Sequence, residues 1–442
     1  MHHASGSGLA AAPATTTAAA AAPAAPPTGA DNAGWPSAGH AARQAGAGWL
    51  AAALQASRHD TLVTFAACAR GLVGLQVPQR ATLNPPLWEL GHIGWFQDHW
   101  LGRNPQRAAG AAADPAAPRW PAARPQADAL YDSSAVPHAS RWRLDLPDAT
   151  GTQADLAAQL HTTLALLQAA EPTDNALYFF RLALLHEDMH HEAALYMALS
   201  LGLVVDDARW QPRPLPASRQ ALHQSAGDWM LGYDETGFAF DNELGAHRVA
   251  LPASQIDSQV LRWADYLPFV EADGYAQPQW WTDAGRAWLA AAACTTPRYI
   301  RHEGSHRGSQ QGSGWEHWRH GQWQALDLAL PACHLTAFEA DAWCRWAGRR
   351  LPSEAEWERA ALSQPAGFHW GRVWEWTASP FAPYPGFTPH PYRDYSAPWF
   401  GGHRVLRGAS HLTQPRLRHA HYRNFFLPQR NDVPAGFRTC SV

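Results

Sequence analysis

Apolar positions recur at helical spacing from about residue 45 to 205. Trp49, Leu50, Leu54, Leu62, Val63 and Phe65 mark a first helix. The run Asn84-Pro85-Pro86-Leu87-Trp88-Glu89-Leu90 opens a second, with Asn84 as the expected N-cap. Proline is tolerated in a first turn because its missing N–H has no partner there anyway. Leu156, Leu160, Leu164 and Leu167 predict a third helix, and Asn175 to Leu201 a fourth that stops near Gly202. Residues 104–150, rich in Ala, Pro and Asp, read as a long connection. Four helices with one long crossover predict a four-helix bundle over residues 45–210.

The pattern changes after Pro212. Residues 220–442 carry short strands, Gly/Pro turns and frequent Trp, with helices expected near 258–271, at Ala337–Trp346 and at Ser353–Ala361. The fold class expected is therefore α+β multidomain. Residues 1–44 are mostly Ala, Pro, Thr and Gly, a composition that buries too little apolar area to offset chain entropy, so a disordered tail is expected there.

Composition narrows the function classes. With 442 residues and 46% hydrophobic content, the chain can bury large cores in two or three domains. A net charge of −4 argues against a basic nucleic-acid footprint. No apolar run reaches the roughly 20 residues of a membrane span. Five cysteines without a CxxC pair exclude a disulfide scaffold and cysteine zinc knuckles, and make the cytoplasm the expected compartment. The 24 histidines direct attention to metal ligands.

The sharpest motif is His186-Glu187-Asp188-Met189-His190-His191-Glu192, inside the fourth helix. His186 and His190 are four apart and share one helix face, about 6 Å apart at Cβ. His92, on the second helix, is the candidate third ligand, since facing helices of a bundle project into one interior. Three imidazoles on one side of an ion leave positions open for substrate and O2. His99, seven residues on, is the rival third ligand, and His191 points about 100° away. The same stretch matches HExxH, a zinc-peptidase signature with Glu187 as base. Against that reading, Ala193 stands where the longer motif needs Gly, and a bundle helix would turn Glu187 from the metal. A third reading is a non-catalytic binding module.

A second set of motifs lies in the C-terminal half. These are Gly227-Asp228-Trp229-Met230-Leu231-Gly232, Phe240-Asp241-Asn242-Glu243, the Gly348–Glu358 segment, Val373-Trp374-Glu375-Trp376-Thr377, Leu406-Arg407-Gly408-Ala409-Ser410 and Gly436-Phe437-Arg438. Taken individually, Trp357, Trp374 and Trp376 read as core, and Glu354, Glu356 and Glu358 as cap and ion-pair groups. Together and in order they resemble the formylglycine-generating (sulfatase-modifying factor) domain, a C-type-lectin-like fold. That enzyme's late reactive cysteines are missing, since Ser410-His411-Leu412-Thr413 contains none. A DinB-like bundle with three His ligands, fused to such a domain, resembles the ergothioneine-type sulfoxide synthases. These non-haem iron enzymes use O2 to join a sulfur donor to C2 of the imidazole of hercynine (Nα-trimethylhistidine).

The resemblance implies Fe(II) as cofactor on His92, His186 and His190. It implies that Tyr422-Arg423-Asn424-Phe425-Phe426 contributes Asn424, Phe425 and Phe426 to hercynine binding, Asn424 holding the carboxylate. Aromatic faces suit a trimethylammonium group by cation–π attraction. Met189 stands where many members have a Gln that lines the hercynine site. The sequence also departs from both sulfur branches. Phe425-Phe426 replaces the Trp-Asp of one, and Ser134 and Ala135 replace the paired tyrosines of the other. The pattern resembles the selenoneine synthase branch, which couples hercynine to a selenosugar. The resemblance implies small-molecule partners (hercynine, a selenosugar and O2) and a selenoxide-level product able to shed its sugar. Asp132, Ser134, His138, Arg141, Trp142 and Arg430 are the expected donor-binding or catalytic residues.

Overall fold

The computed structural model describes residues 35–302 and 314–442. Six helices build the N-terminal half: α1 (Trp35–Gln44), α2 (Ala47–Gly71), α3 (Pro86–Gln97), α4 (Ala127–Tyr131), α5 (Ala149–Gln168) and α6 (Asp174–Ser200). The four long ones pack side by side, α2 on α5 and α6, and α3 on α5 and α6. α6 starts where the Thr173 hydroxyl accepts from the Ala176 N–H at 3.3 Å. It ends at Gly202, whose φ of +72° lets the Leu203 N–H reach back to the Ala198 carbonyl at 2.8 Å. Between these ends the 27 residues include no Gly, Pro or β-branched residue, and the middle is buried nearly all round. That is why α6 can place His186 and His190 deep in the helical half.

Two sequence expectations need correction. The stretch assigned to a tail through residue 44 holds a helix, α1; residues 1–34 lie outside the described residues. A buried ion pair, together with packing on the Pro415–Leu417 turn and α6, anchors α1. Both terminal nitrogens of Arg43 donate to the Glu243 carboxylate, at 2.6 and 2.9 Å, while the Phe238 N–H donates to the Arg43 carbonyl. Composition could not show this, because the partners of α1 lie far off in sequence. Asn84 does not cap α3; Pro85 holds that position and Pro86 enters the first turn. The Asn84 side chain instead reaches Glu89, with consequences for the metal centre.

The C-terminal half is α+β. β1 (Ala221–Gln224) pairs antiparallel with β4 (Ser254–Asp257), and β2 (Gly227–Leu231) with β3 (His247–Leu251). β5 (Ile300–His302), β6 (Trp315–Arg319) and β7 (Gln322–Ala325) form an antiparallel meander. The remaining strands are β8 (Trp374–Pro380), β9 (Arg404–Gly408), β10 (Asn424–Phe426) and β11 (Ala435–Gly436), in sheet order β10-β9-β8-β11 with β11 parallel to β8. Helices α7 (Trp263–Glu271), α8 (Asp283–Ala292), α9 (Ala337–Trp346) and α10 (Glu354–Ser363) surround them. Capping boxes at Thr336/Glu339 and Ser353/Glu356 fix the starts of α9 and α10. Trp357, Trp374 and Trp376 are core residues. Glu354, Glu356 and Glu358 pair with Arg423, Arg350 and Arg407.

The two halves meet along α6. The Glu192 carboxylate accepts from Trp374 Nε1, Ser410 Oγ and Thr413 Oγ1 at 2.6–2.9 Å. Asp188 accepts from Arg416 and from Ser57 of α2. One face of α6 thus binds the C-terminal half, while the face bearing His186 and His190 turns to α3. Among the described residues no helix is long and apolar enough to cross a membrane.

Candidate metal centre

His92, His186 and His190 converge, with one ring nitrogen from each lying within 4.8 Å of the others. The Nε2 atoms of His186 and His190 are 3.2 Å apart. Two nitrogens each about 2.1 Å from one ion, at angles between octahedral and tetrahedral, are separated by about 3.0–3.4 Å. The pair therefore fits one ion without rearrangement.

The outer hydrogen bonds set the tautomers. His190 Nδ1 lies 2.6 Å from Glu89 Oε2, and His92 Nδ1 lies 2.8 Å from the Tyr131 carbonyl. Carboxylate and carbonyl oxygens only accept, so both Nδ1 atoms carry the proton and both Nε2 lone pairs face the shared space. Burial, then the neighbouring His190, lowers the His92 pKa to about 3, so the ring is neutral as a ligand must be. Burial likewise drives His186 well below its ordinary value. Burial favours the protonated Glu89, yet His190, His92 and Asn84 outweigh it and hold its pKa below the ordinary value. Asn84 Nδ2 donates to Glu89 Oε1 at 2.5 Å, and Asn84 Oδ1 accepts from Arg141 at 2.9 Å. A chain Arg141–Asn84–Glu89–His190 thus backs one ligand. Replacing Glu89 with Gln removes the charge that orients His190 and should weaken metal affinity about 10–100-fold, read by chelator competition.

Aromatic rings close the sides. Phe96 lies flat on His186, with centroids 3.5 Å apart, and Trp88 is stacked on His92 at 4.9 Å. α4 docks on Gly91, where a Cβ would come within 2.3 Å of the Tyr131 ring. Gly91→Ala must push away the residue whose carbonyl fixes His92. It should cost about 1–3 kcal/mol by overpacking and lower metal affinity together, measured by thermal melts and metal titration.

The rival ligand His99 is not part of the trio. α3 widens into a π turn at Asp98–Gly102, and His99 Nδ1 accepts from Arg103 at 3.2 Å. His191 points elsewhere, to Thr64 and Gln414. Glu187 is fully buried and accepts from Arg58 (2.8 Å) and Gln97 (2.9 Å). It cannot serve as a peptidase base at the trio, and that reading fails.

The expected substrate residues divide. Asn424 Oδ1 accepts from the Phe425 N–H, and its Nδ2 makes no hydrogen bond among the described residues. Strand alternation puts Phe426 on the face of Asn424 and Phe425 on the other. Phe425 is stacked on Phe381 at 4.0 Å, while Phe426 lies under Arg430 at 4.7 Å. Met189 Sδ accepts from the Tyr422 hydroxyl at 3.4 Å. Asp132 and Ser134 form a turn of their own, the Ser134 hydroxyl donating to Asp132 at 2.6 Å. Asp132 lies near enough to act electrostatically on Tyr392 and His99. Three other expected donor residues are committed to structure. His138 Nε2 donates to the Leu83 carbonyl, Trp142 Nε1 to that of Val77, and Arg141 covers the Trp88 ring at 3.7 Å. Arg430 is paired with Asp432.

Two tyrosines escaped the sequence reading. Tyr392 stands edge-on to His186 and Phe96, with centroids at 6.0 and 5.0 Å, and Tyr395 links Tyr392 to Phe425. Their only sequence signal is aromatic density in the irregular stretch His390–Tyr395.

Residues 210–372 match the sulfatase-modifying factor enzyme 1-like (FGE-sulfatase) domain family. A hercynine oxygenase of Mycolicibacterium smegmatis is 31% identical over 418 residues, spanning 80% of this chain and 90% of the relative. The chain belongs to the hercynine oxygenase family. These ergothioneine-type sulfoxide synthases also include a Mycobacterium tuberculosis hercynine oxygenase, 31% identical over 414 residues, with 80% and 90% covered. A formylglycine-generating enzyme of Streptomyces coelicolor is 27% identical over 259 residues, covering 44% of this chain and 80% of the relative. The hercynine oxygenase match thus reaches well beyond the domain shared with formylglycine-generating enzymes.

Proposed function

We propose that this protein is a non-haem Fe(II), O2-dependent enzyme that joins the selenium of a selenosugar to C2 of hercynine. The observation that carries the reading is the convergence of three imidazoles, two of which, His190 and His92, have their Nδ1 protons tied outward. Fe(II) held there would supply O2 activation and a common coordination site for the two substrates. The residues of the chain do the rest. The unpartnered Asn424 Nδ2 donates to the hercynine carboxylate. The face of Phe426 that Arg430 leaves open and the ring of Tyr392 beside His186 offer aromatic surface to the trimethylammonium group. Tyr392, whose pKa burial raises, keeps a proton beside His186 and can deliver it to the reacting centre.

The donor assignment rests on the residues around the mouth. An amino-acid donor brings a carboxylate, and the two arginines expected there are occupied. Arg430 is held by Asp432, and Arg141 by Asn84 and Trp88. The Asp132–Ser134 turn offers hydroxyl-compatible polar groups at the site's edge. A second reading, from kinship with the ergothioneine-type sulfoxide synthases, is C–S bond formation with cysteine or γ-glutamylcysteine. Incubating the Fe(II) protein with hercynine, O2 and each donor in competition separates the two. Fastest turnover is expected with the selenosugar. Faster turnover with either sulfur amino acid overturns the selenium assignment and leaves the hercynine assignment standing.

A further inference from the structure

A cavity of about 110 Å³ lies where the C-terminal part of α6, the linker after it and the β5–β7 meander meet. Arg298, Arg319 and four histidines (His317, His320, His334 and His411) line it. Among the described residues, none of its lining side chains is a carboxylate. Its apolar floor is formed by Trp210, Trp263, Trp318 and leucines of α6.

Three further observations mark it as built. Among the described residues, seven non-glycine residues have positive φ, and two of them line this cavity outside any hairpin turn: Tyr299 at +64° and His334 at +61°. Such backbone costs on the order of 1 kcal/mol or more per residue and clusters where it serves a site. The rings of Tyr299 and His334 meet edge to face, centroids 5.0 Å apart, and the Tyr299 hydroxyl and His334 Nδ1 are both buried without a hydrogen-bond partner. Two such orphans in one place each cost about 1–3 kcal/mol unless a ligand satisfies them. Finally, Arg319 forms no ion pair among the described residues, and the Arg298 guanidinium reaches only Asn431 Oδ1 and the Tyr299 ring. Burial, then Arg319, drives the His317 pKa to about 4, and burial, then Arg298, does the same to His334. The histidines are therefore neutral at pH 7, and the two arginines carry the charge.

The geometry points to a second ligand site, for a small organic anion: a carboxylate on a flat apolar body. The carboxylate meets Arg319, the Tyr299 hydroxyl and His334, and the apolar body lies on the tryptophans. Charge-assisted hydrogen bonds to a guanidinium are the strong kind. The site takes no part in the chemistry at the histidine trio, and this inference does not depend on that chemistry.

The probe is 4-fluorobenzoate, titrated into the whole protein and followed by fluorine NMR and calorimetry. One molecule should bind per chain with submillimolar affinity, and saturating hercynine should not displace it. Arg319→Gln should weaken binding about tenfold or more, and Tyr299→Phe by severalfold, with melting curves showing both variants folded. As a check that needs no variant, crystals soaked in 4-bromobenzoate should show a bromine anomalous peak in this cavity against its tryptophans, at the end away from the Tyr299 hydroxyl. The inference is overturned by no binding at about 10 mM, weaker than roughly −3 kcal/mol. It is equally overturned by displacement with hercynine, by unchanged affinity in both variants, or by bromine elsewhere.

Discussion

Replacing His186 with alanine should abolish Fe(II) binding and O2-dependent turnover together. Its Nε2 sits 3.2 Å from that of His190, and no other histidine of the neighbourhood can take its place. His99 is held by Arg103 and His191 by Thr64 and Gln414. Two remaining imidazoles make a weak, poorly shaped site. The fold should survive. His186 Nδ1 has no hydrogen-bond partner, so truncation breaks no outer network, only packing against Phe96. A loss of about 2–4 kcal/mol leaves a margin in a protein of ordinary stability. Iron content per chain and the far-ultraviolet spectrum give the answer. A folded variant that still holds one iron per chain contradicts the ligand set.

The largest stability effect is expected at Arg58, which joins three helices. It donates to Glu187 of α6 through Nε and NH2, and to the Leu156 carbonyl of α5. Both partners of the ion pair are buried. Arg58→Ala strands the Glu187 carboxylate with Gln97 as its remaining partner, and breaking a buried pair in this way costs about 3–5 kcal/mol. Melting should fall on the order of 10 °C, at about 2–4 °C per kcal/mol for a unit this size. Replacing both partners by apolar residues, Arg58→Met with Glu187→Leu, should recover much of that loss. The double variant should keep its metal, because Glu187 is a strut between helices rather than a base. A stable double variant without metal would show that Glu187 serves the centre.

What the sequence made legible follows from how local each signal is. α9 runs over Ala337–Trp346 as expected because its Thr336/Glu339 capping box lies wholly in adjacent residues. α6 ends at Gly202 for the same reason. His186 and His190 were readable because a helix fixes the angle between positions four apart. α8 was not read, since it is only ten residues long and Ala-rich, and most of it is exposed. α1 was misread because its partners lie far off in sequence, Glu243 200 residues away and the Pro415–Leu417 turn farther still. The partners that orient the ligands were equally hidden. Asn84 looks like a cap from its neighbours, and only the folded chain shows it between Arg141 and Glu89. Tyr131 and Tyr392 reach the trio from segments without regular pattern. Phe425 and Phe426 look equivalent in sequence, yet strand alternation places only Phe426 on the face of Asn424.

The central claim is a single ion shared by His92, His186 and His190. Crystals grown anaerobically with Fe(II), measured on either side of the iron absorption edge, test it directly. The account predicts one anomalous peak within about 2.0–2.3 Å of all three Nε2 atoms. Iron bound elsewhere, or by only one of these rings, contradicts it.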